Sequence, residues 1–173
     1  IDNGRFAREL LVNPPSGSVL EGVVDPARIA VGGHSLGGVV AGKLALSGGF
    51  HALAFLASFP DGADDAAMAK LGMPSLFVAG QQDCSAKLEQ VQQGAAKPAS
   101  PSALVVLQGV THYEFTSDAT PDSKACPPTL PLESAHQRIS QSLSLFLGAA
   151  LSAERGTGAA SLAQVEGAEV TAR

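Results

Sequence analysis

The chain has no tryptophan and one tyrosine, and aromatic residues make up only 5% of it. Ala, Val and Leu must therefore fill most of any interior. No apolar run reaches the ~18 residues that a membrane-crossing helix needs, so no transmembrane segment is expected. Charge of a single sign is also missing. The net charge is −5 with the signs scattered, which argues against a nucleic-acid backbone as partner. Cysteine is scarce, and the pair Cys84 and Cys126 fits no metal-ligand spacing. The two either bridge in an oxidising compartment or stay free thiols in a reducing one, and counting decides neither. No metal and no cofactor is expected, and nothing in the composition bears on oligomeric state.

What is present suits one packed domain: 173 residues, of which 45% are hydrophobic. The chain opens at Ile1 rather than Met and runs directly into a helix-like stretch at 5–11. This reads as a fragment whose true start, with any secretion signal, lies upstream. Pro14, Pro15 and Gly17 then break the first helix.

Short apolar runs bounded by turn residues predict strands at 28–31, 52–57, 75–79 and 103–107. Between them, helices are predicted at 36–46, 63–71 and 86–93. A polar loop runs on to about residue 132, and a long helix at 133–147 carries the apolar stripe Ile139, Leu143, Phe146. Strands alternating with helices imply crossover connections and a mostly parallel sheet with helices on both faces, an α/β fold. Residues 1–150 read as an incomplete catalytic core. Residues 151–173, without clear periodicity, read as a flexible tail or the start of a further segment.

Gly33-His34-Ser35-Leu36-Gly37 fits G-x-S-x-G. In a chain with 19 glycines the bare pattern arises easily by chance. Its setting is more specific, because an apolar strand ends at Gly32 and a helix begins at Leu36. A serine at such a turn projects from the C-terminal edge of the sheet, and the flanking small residues let strand and helix pass closely. The amide of Leu36, at the helix N-terminus, is placed to donate to a developing oxyanion.

The segment from Val31 to Gly38 resembles the nucleophile elbow of α/β-hydrolases, especially bacterial lipases, cutinase-like esterases and dienelactone-hydrolase relatives. The lead-in Asp25-Pro26-Ala27-Arg28-Ile29 is similar to one common in that superfamily, and the likeness extends from about residue 2 to 147. It implies an α/β-hydrolase fold with its first strands missing, along with the loop that would supply a second oxyanion donor.

A serine nucleophile needs a base in reach and a carboxylate to orient that base. In this fold their chain order is Ser, acid, His. Asp83 follows the third strand and His112 the fourth, both at the sheet edge where ligands collect. Asp83 also suits the cap of the helix after it, but no other acid sits at a strand end. Gly109-Val110-Thr111-His112 resembles the Gly-x-x-His segment that carries the base in cutinase-like and dienelactone-type enzymes. Among the other histidines, His51 precedes a strand and His136 is expected exposed on the late helix. His34 beside the nucleophile and Phe59 after the second strand are candidate substrate contacts; Phe59 suits a core-covering loop position equally well.

The resemblance also makes Cys84 and Cys126 candidates for a bridge bracing the acid and base loops, as in secreted cutinase-like enzymes. The alternative is a buried Cys84 and a free Cys126 at the surface. Secretion is favoured only with the bridge; otherwise localisation is open. Ser35 to Asp83 leaves no room for a lid domain, so an open site for a small-molecule or lipid-like ester is expected. The same triad serves thioesterases, peptidases and acyltransferases, and the fold also occurs in non-catalytic binding proteins.

Overall fold

In a computed structural model, residues 1–99, 101–117, 126–127 and 129–173 are described. Part of the polar loop expected before residue 132, at 118–125 and 128, lies outside them. Five strands form one sheet in the order β1-β2-β3-β4-β5. They are β1 (Ala30–His34), β2 (Ala52–Leu56), β3 (Ser75–Gly80), β4 (Ser102–Leu107) and β5 (Ala168–Ala172). The first four pair in parallel, and β5 pairs antiparallel with β4. The helices are α1 (Asp2–Val12), α2 (Leu36–Leu46), α3 (Asp65–Met68), α4 (Leu88–Ala95), α5 (Leu132–Ala150) and α6 (Ala159–Leu162), with a 3-10 turn at Tyr113–Phe115. Among the described residues, no helix is long and apolar enough to cross a membrane.

The continuous apolar strands are explained by burial on both faces. Side chains alternate along a strand, so Leu76 and Val78 join Ile139 and Phe146 of α5 in one core. Phe77 and Ala79 point the other way, to Ala41 and Ala45 of α2 and Val91 of α4. Phe55 and Phe77 face each other across β2 and β3, their rings stacked with centroids 4.6 Å apart. These rings supply bulk to a core otherwise built from small aliphatics.

Several expectations need correction. Residues 151–173 are not a free tail, because Leu162 and Val165 are buried against α5 and β5 closes the open edge of β4. The Arg173 guanidinium donates to the Ala95 carbonyl, fastening the residue after β5 to the last residue of α4. Among the described residues the sheet accordingly has five strands rather than four. The first strand starts later than expected and runs through Gly32 and Gly33 to His34. Ladder pairing with Ala54, Phe55 and Leu56 carries it past residues of poor strand propensity. His136 is half-buried rather than exposed, its Nε2 donating to the Thr116 carbonyl at 2.9 Å.

Candidate active site

Ser35 occupies the single residue between β1 and α2. Its φ of 52° and ψ of −123° are strained for a residue with a side chain, and they turn Oγ out of the chain reversal. Gly33 permits that reversal: a Cβ there would run into the backbone of Gly37. The Ser35 amide donates to the Leu56 carbonyl at 3.0 Å, and the Ser58 hydroxyl donates to the Ser35 carbonyl at 2.7 Å. Backbone bonds on both sides thus offset the strain.

Asp83 leaves the C-terminal end of β3, and its side chain is fully buried. Oδ1 accepts from the amides of Ser85 at 2.8 Å and Ala86 at 2.7 Å. Asp83 does not cap the following helix, which begins at Leu88 with Lys87 as its N-cap; Oδ1 instead closes a local turn ahead of it. Oδ2 lies 2.8 Å from His112 Nδ1.

His112 comes from the loop after β4. That loop lies against the acid loop, with the Gln82 amide donating to the Val110 carbonyl at 3.0 Å. Gly80 makes this approach possible, since a Cβ on it would meet the Val110 carbonyl. The buried Glu114 carboxylate accepts from both the amide and the hydroxyl of Thr111, at 2.5 and 2.6 Å, which shapes the turn around His112.

His112 Nε2 stands 2.9 Å from Ser35 Oγ. An ionised carboxylate can only accept, so Nδ1 carries the proton and donates to Asp83. The Nε2 lone pair then accepts from the Ser35 hydroxyl. The structure thus brings together all three residues selected from the sequence, in hydrogen-bond contact from Asp83 to Ser35.

A cleft of about 240 Å³ opens over Ser35 and His112, with Leu36, Ser58, Phe59 and Asp61 among its walls. Leu36 begins α2, and its amide belongs to the first helical turn, where N–H groups have no intrahelical acceptor. The residue is 74% exposed. Phe59 is half-buried; it lines the cleft and also packs against Gly94 of α4.

His34 behaves differently from the expectation. It is not among the cleft residues, and its Nε2 lies 3.1 Å from the His112 carbonyl. Its ring stacks on Phe115, with centroids 5.8 Å apart and planes 5° from parallel. Burial, then the neighbouring His112, lowers the His34 pKa from its ordinary 6.5, partly opposed by the bond to the His112 carbonyl and by Asp83.

Cys84 and Cys126 are joined as a disulfide, with Cα atoms 6.2 Å apart. The bridge starts one residue beyond Asp83. Ser58, Thr111 and Glu114 went unrecognised in the sequence. Ser58 sits at the C-terminal end of β2, a position shared with the other site residues and the one signal that pointed to it.

The sequence model of the alpha/beta hydrolase family matches residues 11–126, more than half of the chain, and so takes in both the elbow and the base. The chain belongs to the alpha/beta hydrolase family. A solved structure described as an alpha-beta serine hydrolase homologue from Coxiella burnetii is 27% identical, with a TM-score of 0.45. The match covers 51% of this chain, which spans 42% of the length of that one. No curated protein matches the chain. Within this alpha/beta hydrolase, strands β1, β3 and β4 each end at one of the three contacting residues or its loop, on the same sheet edge.

Proposed function

We propose that the protein is a serine hydrolase that cleaves carboxylic esters through an acyl-enzyme. The reading rests on one observation, the continuous contact from Ser35 Oγ through the His112 ring to the buried Asp83 carboxylate, at 2.9 and 2.8 Å. His112 Nε2 takes the hydroxyl proton as Oγ attacks the ester carbonyl carbon. The carbonyl oxygen becomes an oxyanion facing the Leu36 amide. Asp83 holds the imidazole in its working tautomer and stabilises the imidazolium. As the tetrahedral species collapses, the C–O bond to the alcohol breaks and His112 returns the proton to the departing oxygen. Water then repeats the sequence on the acyl-enzyme, releasing the acid and restoring Ser35.

Ester hydrolysis is favoured over acyl transfer because the cleft is open to solvent, so water reaches the acyl-enzyme freely. Its apolar wall, made by Leu36, Val39 and Phe59, suits a small or lipid-like acyl group. Thioesters and amides call on the same three residues and differ in the leaving group. The test is a fluorophosphonate probe with peptide mapping, combined with p-nitrophenyl ester, thioester and anilide substrates. Labelling of Ser35 with preferred turnover of the esters is expected. A probe on another residue, or full activity in Ser35→Ala, would overturn the assignment. An unlabelled but folded protein would point to a non-catalytic binding role.

A further inference from the structure

We propose that His34 is a positioning residue for the base: its Nε2–H holds the His112 carbonyl and so ties the base loop to the nucleophile elbow. This rests on the serine hydrolase reading above. His112 lies on a loop beyond β4, while Ser35 lies beyond β1, with β2 and β3 between them in the sheet. The side-chain bond between them therefore joins loops on strands that are not neighbours in the sheet. His34 is covalently next to Ser35 and reaches the backbone of His112 at 3.1 Å. One peptide link and one hydrogen bond thus connect the two reacting groups by a route separate from the reacting atoms.

The chemistry of the contact fixes the His34 tautomer. A carbonyl oxygen only accepts, so Nε2 carries the proton. The ring is held flat against Phe115, and its centroid is 4.6 Å from that of His112. With its donor engaged and one face covered, His34 has little left to offer a substrate. A neutral ring also suits the mechanism. His112 becomes an imidazolium during each proton transfer, and a permanent cation at residue 34 would oppose that charge at close range. A histidine supplies the donor without the obligatory charge of Lys or Arg.

Two substitutions separate the donor from the ring. His34→Phe keeps the stack on Phe115 and removes the N–H, whereas His34→Gln places an amide N–H near the position of Nε2. With an ester substrate, His34→Phe is expected to lower kcat about tenfold, as misplacement of a reacting group by a fraction of an ångström does, with KM within about twofold. His34→Gln is expected to recover most of that loss, with both variants melting cooperatively. A rise in KM with unchanged kcat would show that His34 contacts substrate instead, and an unaltered His34→Phe would overturn the proposal outright.

Nitrogen-15 NMR of the histidine side chains tests the same point without turnover. A neutral His34 protonated on Nε2, with His112 ring signals displaced in His34→Phe but not in His34→Gln, is the expected result. A His34 protonated on Nδ1 would overturn the proposal. Absence of phosphonate labelling on Ser35 in the unmodified chain would instead count against the hydrolase reading alone, because the NMR result is independent of it.

Discussion

The hydroxyl of Ser58 donates to the backbone carbonyl of Ser35 at 2.7 Å, joining the end of β2 to the strained elbow. Ser58 is itself 3% exposed, so water has poor access to replace it. The Ser35 carbonyl also accepts from the Gly38 amide at 2.9 Å, a bond that α2 supplies in any case. Ser58 is the cross-strand component. Ser58→Ala is expected to cost about 1 kcal/mol of stability, the usual worth of such a bond. It should lower kcat more than it raises KM. Urea unfolding with ester kinetics checks both, and a variant equal to the parent in each would show that the elbow holds without this tie.

The contact chain through His112 predicts strongly non-additive losses. Ser35→Ala, His112→Ala and Asp83→Asn are each expected to reduce kcat by roughly 10⁴ or more, because members of such a set act as a unit. Combining His112→Ala with Ser35→Ala should cost little beyond either alone. Steady-state kinetics on purified, folded variants measures this. Losses that multiply would mean the residues act separately.

The site was more legible in the sequence than the edges of the fold. Ser35, Asp83 and His112 each follow an apolar run at the same end of a strand, and chain order alone separates their roles. Strands buried on both faces, such as 75–80, announce themselves as unbroken apolar runs. β5 gives no such signal. Its Ala, Glu and Thr residues pair with the edge of β4 while much of the strand faces solvent, so composition alone resembled a tail. The role of His34 was hidden for a different reason. Its partner is a backbone carbonyl 78 positions away, and residue type carries no trace of a backbone acceptor. Ser58 and Glu114 likewise act on backbone groups of the elbow and base loops.

The Cys84–Cys126 bridge closes a separation of 42 residues that includes β4 and His112. Cross-linking of that length is expected to stabilise by ~2–4 kcal/mol, mainly through the unfolded chain. Because Cys84 adjoins Asp83, opening the bridge should also loosen the acid loop. Cys84→Ser with Cys126→Ser is expected to lower the melting temperature and to reduce kcat. Thermal melts and kinetics with and without reductant test this, and two free thiols in the unreduced, unfolded protein would exclude the bridge.

The lowered pKa of His34 predicts a stability that falls on acidification. Burial and the neighbouring His112 disfavour its charged form, while the bond to the His112 carbonyl and the Asp83 carboxylate favour that form less strongly. In the unfolded chain His34 titrates near its ordinary 6.5. Below that pH the unfolded state binds a proton that the folded state resists, so protonation pulls the equilibrium toward unfolding. The contribution is complete above about pH 6.5 and is lost as pH falls through the lower folded-state value. His34→Gln removes the titrating group while keeping an N–H donor. Its unfolding free energy should therefore decline less than the parent's between pH 7.5 and pH 5. Urea unfolding at the two pH values measures the difference. Parallel declines would mean that His34 takes up its proton as readily in the folded protein as in the unfolded chain.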